Sequence, residues 1–231
     1  MQQLLTGKVR SPGFSGEWEV NIPKAYKKTE HGLIPIDWED KTIGNLVRFC
    51  GGSQPPRSTF IFESKQGYIR LIQIRDYKTD EFKTYIPEYL ARKKCSVDDI
   101  MIGRYGPPIF QILQGIEGAY NVALIKASPL GNLNKKYLYY FLKQESLLKF
   151  VEGLSQRSSG QTGIEMDALK DYPFPSPSDA EEQKAIAQIL SDMDAEIAAL
   201  EKNRDKYKAI KQGMMQELLT GKTRLNTDYK D

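Results

Sequence analysis

The sequence predicts an α+β protein, in which a mixed α/β domain with short strands is followed by one long coiled-coil helix. Between about residues 38 and 127, short β-branched and aromatic runs alternate with turn residues, which is typical of strands. Between about residues 179 and 219, apolar residues recur every seven positions, which is the pattern of a coiled coil. The strand-rich domain and the helix should therefore follow one another along the chain.

The two ends of the sequence repeat each other. MQQLLTGKVR at positions 1–10 matches MQELLTGKTR at positions 215–224 at eight of ten places. Solenoid repeats are far shorter than this separation, so the repeat indicates a unit cut from a longer tandem arrangement. The alternative is chance similarity, because two leucines followed by a glycine make a common helix ending.

Residues 1–35 mix glycine, proline and lysine, and they predict an irregular leader that carries the remnant of a preceding helix. Residues 36–177 should form the mixed α/β domain, with strands at 68–74, 100–102 and 119–125. Asn134 is a suitable N-cap for a helix whose apolar stripe continues to Val151. The prolines at 173, 175 and 177 exclude a helix and indicate a boundary.

Residues 178–222 predict one long helix with Ser178 as its N-cap, and residues 223–231 form a tail. At ~1.5 Å per residue the helix is about 60 Å long, too long to pack entirely on its own domain. An uncovered apolar stripe indicates a partner helix and hence a homodimer. The alternative is a helix that only buttresses its own domain. The predicted dimerisation residues are Ile186, Leu190, Met193, Ile197, Leu200, Tyr207, Met214 and Leu218, interrupted by Arg204 and Lys211.

Composition is usual for a folded protein, with 40% hydrophobic and 27% charged residues in a chain of 231. The sequence contains no apolar run of the ~20 residues that span a membrane, and its start does not resemble a signal peptide. We therefore expect a cytoplasmic protein. Lysine and arginine total 33 against 30 aspartate and glutamate, a balance that permits nucleic-acid binding without requiring it.

Catalytic motifs are not recognisable in the sequence. Thr220-Gly221-Lys222-Thr223 resembles the end of a phosphate-binding loop, but Gln216 stands where that loop needs its first glycine. Gly106-Pro107-Pro108-Ile109 does not match the Asn/Asp-Pro-Pro-aromatic tetrapeptide of base amino methylation. Two cysteines and a single histidine are too few for a zinc site or a conventional triad. We expect no catalytic residues, no metal and no cofactor.

Several segments resemble the specificity subunits of Type I restriction-modification systems. The most specific ones are Asp171-Tyr172-Pro173-Phe174-Pro175, the Glu-Gln doublet within residues 181–190, and the helix ending at 218–224. Within the preceding domain, Gly51-Gly52-Ser53 and Arg70-x-x-x-Ile74-x-Asp76 match the family pattern in order and spacing. The resemblance covers nearly the whole chain.

Family members usually have two target-recognition domains and two helical conserved regions, so this chain resembles a half-size specificity subunit, natural or truncated. The resemblance implies that residues 36–177 are a target-recognition domain that binds double-stranded DNA. It also implies that partner subunits carry out adenine methylation and restriction, so that this chain is not itself an enzyme. A homodimer would then read a bipartite palindromic target.

Polar side chains on predicted loops are the candidates for DNA contact. Arginine and lysine bind phosphate or guanine, whereas glutamine and asparagine pair with adenine. Each residue alone is more simply a solvated side chain, but together on one face they would form a footprint. The polar loop at 155–163 is the best single candidate. The predicted DNA-binding residues are Gln54, Arg57, Arg75, Tyr77, Lys78, Arg104, Gln156, Arg157, Ser158, Ser159 and Gln161.

Two other functions compete with DNA recognition. One is a coiled-coil scaffold that assembles protein partners without binding a DNA sequence. The other is a self-contained nuclease or methyltransferase, for which Glu63-x-Lys65 is a weak fragment of a metal site. Mapping of methylated adenines after co-expression with a methyltransferase subunit would discriminate among the three.

Overall fold

The computed structural model describes residues 2–9, 26–29, 32–106, 108–155 and 163–225. The chain forms two compact units, Met1–Ala187 and Gln188–Asp231. Its helices are α1 (Gln2–Leu5), α2 (Ile43–Leu46), α3 (Lys135–Leu142), α4 (Glu145–Ser155), α5 (Met166–Asp171) and α6 (Ala180–Leu219). The α+β class and the long C-terminal helix predicted from the sequence are confirmed.

The strands lie in the first unit and are short. They are β1 (Tyr26–Thr29), β2 (Gly32–Pro35), β3 (Trp38–Thr42), β4 (Val47–Gly51), β5 (Tyr68–Ile72), β6 (Tyr85–Pro87), β7 (Lys94–Cys95), β8 (Ile100–Gly103), β9 (Ile112–Leu113), β10 (Gly118–Tyr120), β11 (Leu124–Pro129) and β12 (Pro173–Pro177). The expected strand at 119–125 is two strands, β10 and β11. A turn separates them, because the Leu124 N–H donates to the Asn121 carbonyl.

Two four-stranded sheets build the centre of the first unit. One has the order β6-β5-β10-β7, and its β5 and β10 run parallel. The other is antiparallel, with the order β4-β11-β8-β9. Two smaller pairs, β1 with β2 and β12 with β3, are antiparallel. The proline-rich segment is therefore a strand, β12. Proline has no N–H to donate to a neighbouring strand, which is tolerated here because β12 has only one neighbour in its two-stranded sheet.

A shared core joins the two large sheets. Ile72, Cys95 and Tyr120 come from the first sheet, and they cluster with Met101 and Leu124 from the second. Burial of apolar side chains of this kind stabilises the fold by ~25 cal/mol per Å² removed from water. The opposite face of the first sheet is covered too, in a second cluster. Burial on both faces explains why β5 reads as a nearly continuous apolar run.

Helix α3 packs its aromatic side chains on β12. The Asn134 side chain accepts a hydrogen bond from the Tyr137 N–H at 3.0 Å, so the predicted N-cap is confirmed. The Phe141 ring stacks on Phe174, with centroids 3.6 Å apart. The single helix expected up to Val151 is two helices, because the Lys143 and Gln144 N–H groups bond three residues back and tighten the turn.

The start of α6 is anchored in the first unit by buried polar side chains. Trp38 Nε1 donates to Glu182 Oε2 at 3.3 Å. Gln183 Oε1 accepts from the Asn134 N–H at 2.8 Å, and Gln183 Nε2 donates to the Pro177 carbonyl at 2.9 Å. One glutamine side chain therefore connects α6 to the N-cap of α3 and to the end of β12.

The first turn of α6 is capped differently from the sequence prediction. The Ser178 hydroxyl donates to the Asp37 carbonyl at 2.7 Å. The neighbouring Asp179 carboxylate instead accepts from the Glu181 N–H at 2.8 Å. The Ser178 hydroxyl, which the sequence predicted to cap α6, therefore makes a tertiary contact with Asp37 instead.

The segment expected to be an irregular leader contains α1 and the β1–β2 hairpin in its described part. Leu4 and Leu5 are buried, and the Tyr26 hydroxyl donates to the Gly7 carbonyl at 2.8 Å. The leader's residues 1, 10–25, 30 and 31 lie outside the described residues. The remnant of the repeat is therefore part of the packed first unit.

In the second unit, α6 continues to Leu219 as one uninterrupted helix. Its apolar residues Met193, Ile197, Leu200, Tyr207 and Met214 are all exposed in the single chain. In the part of the chain that the structure describes, no helix is apolar and long enough to cross a membrane.

An ion cluster fixes the connection between β7 of the first sheet and β8 of the second. Asp99 accepts from the Ser96 N–H at 3.0 Å, and its oxygens lie 3.2 Å from Lys126 Nζ and 3.0 Å from Lys135 Nζ. Although partial burial acts in the opposite direction, these donors lower the pKa of Asp99 to about 2. Ionised Asp99 therefore stabilises the fold.

We expect Asp99→Asn to lower the free energy of unfolding by about 2 kcal/mol at neutral pH, as linkage requires for a carboxyl group with a depressed pKa. The stabilisation should be complete above about pH 4 and should disappear as the pH falls towards about 2, because the folded-state carboxylate is then protonated. Urea unfolding at several pH values measures this. The control is Asp98→Asn, which removes an exposed partner of the same Lys135 and should have a much smaller effect. A difference from wild type that does not shrink in acid would contradict the assignment.

Candidate nucleic-acid interface

A cleft of about 440 Å³ opens where β5 and β10 end. Because these strands are parallel neighbours, with Leu71 opposite Ala119, their carboxyl ends lie at the same edge of the sheet. Gln73 follows β5 and Asn121 follows β10, so two amide side chains meet there. The cleft is lined by Gln54, Arg57, Phe60, Phe62, Leu71, Gln73, Arg75, Thr84 and Asn121.

The turn after β4 brings Gln54 to this cleft. The Gly52 N–H donates to the Leu124 carbonyl at 3.0 Å, and the Ser53 N–H donates to the Tyr120 carbonyl at 3.1 Å. A Cβ atom at Gly52 would lie 1.9 Å from the Asn121 carbonyl oxygen. Glycine is required at position 52 because the two backbones touch.

Arg75 is held at the cleft by several weak contacts. Its Nη2 donates to the Phe82 carbonyl at 3.3 Å and to Thr84 Oγ1 at 3.4 Å. Its guanidinium carbon lies 5.9 Å from the centre of the Phe82 ring. Half of the Arg75 side chain stays exposed, so the guanidinium is positioned and still accessible to a ligand.

Asp76 is the buried carboxylate behind Arg75. It lies 3.5 Å from Arg70 Nε and 3.7 Å from Arg75 Nε, and it accepts from the Gln73 N–H at 3.3 Å. Burial raises the pKa of Asp76, although the Gln73 N–H and the two guanidinium groups act in the opposite direction. The Arg70-x-x-x-Ile74-x-Asp76 pattern thus corresponds to a pair that orders the loop after β5.

Arg57 and Phe62 form the outer wall of the cleft. Arg57 begins a single 3₁₀ turn that ends at Thr59, whose hydroxyl donates to the Pro56 carbonyl at 2.7 Å. The Arg57 side chain is exposed, and Phe62 is 73% exposed. An uncovered aromatic ring beside an arginine suits contact with a nucleic acid, since both groups can stack on bases or bind phosphate.

The charges around this cleft favour an anion. Its lining residues, all within the described part of the chain, include two arginines and no carboxylate. A second cleft of about 550 Å³ is lined by Tyr77, Lys78, Asp76, Asp80 and Glu117 among others. Carboxylates there oppose the approach of phosphate, so the first cleft is the better candidate.

The structure brings together three of the predicted DNA-binding residues, Gln54, Arg57 and Arg75. Tyr77 and Lys78 line the second cleft instead, because the 3₁₀ turn after β5 directs successive side chains to different sides. Arg104 is half-buried and lies 5.3 Å from the Tyr105 ring. The predicted residues Gln156, Arg157, Ser158, Ser159 and Gln161 lie outside the described residues.

Sequence reasoning missed Gln73, Thr84 and Asn121. The signal for Gln73 and Asn121 was their place directly after two apolar runs, but only the parallel pairing of those runs makes them neighbours. Gln73 Nε2 donates to Thr84 Oγ1 at 3.2 Å, which orients the amide. The Asn121 amide oxygen accepts from the Ala123 N–H at 3.1 Å.

A metal site is not apparent among the residues that the structure describes, where no three histidine, cysteine, aspartate or glutamate side chains cluster. Both cysteines are free. Burial raises the pKa of Cys95 to about 11, whereas the hydrogen bond with Tyr120, opposed by burial, and the nearby Lys93 ammonium lower the pKa of Cys50.

Comparison with known proteins identifies one family. Residues 35–212 match the family model described as the Type I restriction modification DNA specificity domain. The chain is 29% identical over 198 residues to the Type I restriction enzyme MjaVIII specificity subunit of Methanocaldococcus jannaschii, covering 84% of this chain and 44% of that protein. It is 30% identical over 190 residues to the MjaIX specificity subunit of the same organism, covering 77% and 41%.

Solved structures show the same fold. The HsdS subunit from Thermoanaerobacter tengcongensis superposes with a TM-score of 0.59 at 18% identity, covering 84% of this chain and 47% of that one. The S subunit of a Type I restriction-modification system from M. genitalium gives a TM-score of 0.53 at 15% identity, covering 79% and 46%. The chain therefore spans about half the length of the proteins that it matches.

We expect Gly52→Ala to displace the turn that carries Gln54, because the added methyl group would overlap the Asn121 carbonyl. The variant should lose roughly 2 kcal/mol or more of folding free energy, measured by thermal or urea unfolding. The matched control is Gly51→Ala, since a Cβ atom at Gly51 meets no atom within 4 Å. Equal stability of the two variants would show that the close approach is not present in solution.

Proposed function

Because the chain belongs to the family of Type I restriction-modification DNA specificity domains, we propose that it is a DNA sequence-specificity subunit that reads double-stranded DNA. The observation that carries this proposal is the family match over residues 35–212, combined with an arginine- and amide-lined cleft free of carboxylates. We propose that it acts in the cytoplasm, where it would meet its DNA target. A coiled-coil scaffold that assembles proteins without binding DNA would not require such a cleft.

The chemistry of the cleft suits the reading of base edges. An arginine can donate two hydrogen bonds to guanine O6 and N7, and a glutamine or asparagine can pair with adenine N6 and N7. Arg57 and Gln54 are exposed on one wall, whereas Gln73 and Asn121 lie deeper and half-buried. The outer side chains would contact the DNA first, and the inner amides would reach it through water or a shift of the loops.

Catalysis belongs to partner subunits in this proposal. The chain directs adenine methyltransferase and restriction subunits to the site that it has bound, and contributes no catalytic residue itself. What supports this division is the family description, which names a DNA specificity domain.

Helix α6 is the proposed dimerisation element. Its exposed seam residues, Met193, Ile197, Leu200, Tyr207 and Met214, recur at heptad spacing. Apolar side chains in such a row lose water only when a partner helix covers them. Ile186, which the sequence also assigned to the seam, is buried within the first unit because the first turns of α6 are anchored there. Leu190 is buried as well, and Leu218 is half-buried.

A two-fold dimer would read two identical half-sites in inverted orientation, separated by unread base pairs. The seam contains Arg204 and Lys211, each with the exposed polar character that usually fixes register or orientation in coiled coils. Because a two-fold dimer would present its two recognition domains in inverted orientation, we propose a bipartite palindromic target.

We expect Arg57→Ala to weaken DNA binding by the complex with modification subunits by roughly tenfold to a hundredfold, as the loss of an arginine contact does. The Arg57 side chain is exposed, so the variant should fold normally. The control is Arg92→Ala, which removes an exposed arginine away from the cleft. Fluorescence anisotropy with target DNA measures binding.

Mapping methylated adenines in cells that contain the same complexes tests the specificity itself. The wild-type complex should modify one bipartite palindromic motif, and Gln54→Ala should relax the sequence of its half-sites. Methylation without a fixed motif would refute the specificity function. An unchanged motif and unchanged binding in both cleft variants would place the interface elsewhere on the domain.

We expect Leu200→Asp to convert the homodimer into monomers, because it places a charge in the centre of the seam. Sedimentation velocity measures the mass. Ala209→Asp is the matched control, since it introduces the same charge at an exposed position on the opposite helical face. A dimer that survives Leu200→Asp would show that the two chains associate through another surface.

A further inference from the structure

In the described residues 2–9 and their equivalents 216–223, the two copies of the repeated sequence end in the same type of turn. Each ends a helix at a glycine with φ of +69°, Gly7 in the first copy and Gly221 in the second. Each glycine N–H donates to the carbonyl three residues earlier, at 3.4 Å for Leu4 and 3.2 Å for Leu218. The N–H two residues after the glycine closes a larger loop at 3.1 Å in both copies. The local sequence therefore produces the same helix ending twice.

The first copy is packed into the first unit. Leu5 is fully buried and Leu4 is 8% exposed. The Gly7 backbone contacts its surroundings closely, because a Cβ atom there would lie 2.5 Å from Pro35 Cδ and 3.4 Å from Trp38 Cε3. We call the surface that receives Leu4–Gly7 the docking groove; its identified contacts are Tyr26, Pro35 and Trp38.

The second copy has the same residues without that environment. Leu219, the equivalent of Leu5, is 78% exposed. A Cβ atom added at Gly221, the equivalent of Gly7, would meet no atom within 4 Å. A glycine ending requires no pair of leucines. Leu218 belongs to the heptad positions of α6, whereas exposed Leu219 does not, so a surface that receives this sequence would explain Leu219, and the docking groove already receives the same sequence.

We propose that residues 215–224 of one chain bind the docking groove of a second copy of the chain, in place of that chain's own residues 1–10. The copies differ at Gln3, which is exposed, and Val9, which is half-buried, so both differences fall outside the most buried part of the contact. The first copy is then an intramolecular competitor that fills the groove until a second chain displaces it.

The exchange is reciprocal in a two-fold dimer, because each chain has one groove and one second copy of the repeat. It extends the proposed self-association beyond the α6 seam and does not depend on DNA recognition. Residues 1–10 are part of the same chain as the groove and therefore have a high effective concentration there. Pairing along α6 would be needed to give residues 215–224 of the other chain a comparable concentration near the groove.

Photocrosslinking of the full chain tests the docking directly. Leu219 is replaced by the photoreactive residue p-benzoylphenylalanine, and a mixture of ¹⁴N- and ¹⁵N-labelled chains identifies adducts between copies by mass spectrometry. The expected adduct joins position 219 to the segment 26–38 of the other copy. The same residue at exposed position 203, about 160° around the helix from position 219, should give no adduct with that segment. Adducts only with α6 of the other chain would overturn the docking while leaving the proposed homodimer intact, and no adduct between copies would overturn it too.

Release of the first copy should favour the exchange. Leu5→Asp places a charge in the groove contact and should increase the yield of the 219 adduct several-fold. Gly7→Ala provides a second route, because its methyl group would meet Pro35 and the backbone there has positive φ. Folding of both variants is checked by circular dichroism. If neither folds, the adduct map of the chain without these changes decides; an unchanged yield in a folded variant would refute competition for one groove.

Discussion

The first unit depends on the buried side chains of Glu182 and Gln183 at the start of α6. Gln183 satisfies the Asn134 N–H and the Pro177 carbonyl, and Glu182 accepts from the Trp38 indole. Removal of one buried partner would leave a polar group without a hydrogen bond, which costs about 1–3 kcal/mol. These bonds have direction, unlike apolar contacts, so they fix which residues of α6 face β3, β12 and α3. The Glu-Gln doublet of the family pattern is therefore a structural anchor.

The candidate interface depends on a different constraint, the parallel pairing of β5 and β10. That pairing places Gln73 and Asn121 side by side, and the close approach of Gly52 adds Gln54 from a third segment. Asp76 then holds the loop after β5 through Arg70 and Arg75. A rigid sheet edge therefore positions residues from loops that are distant in sequence, as is usual for binding sites on mixed sheets.

Sequence reasoning succeeded where the structure follows from local chemistry. The heptad pattern predicted the long helix almost to its ends, and Asn134 was correctly predicted as an N-cap. It was less successful where distant segments compete for the same group. The Ser178 hydroxyl bonds Asp37 and not its own helix, and Asn121 joins the cleft only because β10 pairs with β5. The leader's packing could not be predicted either, since burial of Leu5 depends on contacts that a local pattern does not contain.

The repeat allows the effect of local sequence to be compared with the effect of tertiary contacts within one chain. Both copies form the same glycine-ended turn, with φ of +69° at each glycine, so the local sequence determines the backbone of the turn. Burial differs completely between Leu5 and Leu219, so burial is determined by the surface that a segment meets. A helix ending needs only its glycine, whereas a docked segment also needs its leucines. The proposed docking would account for exposed Leu219, because the stability of the turn does not require that side chain.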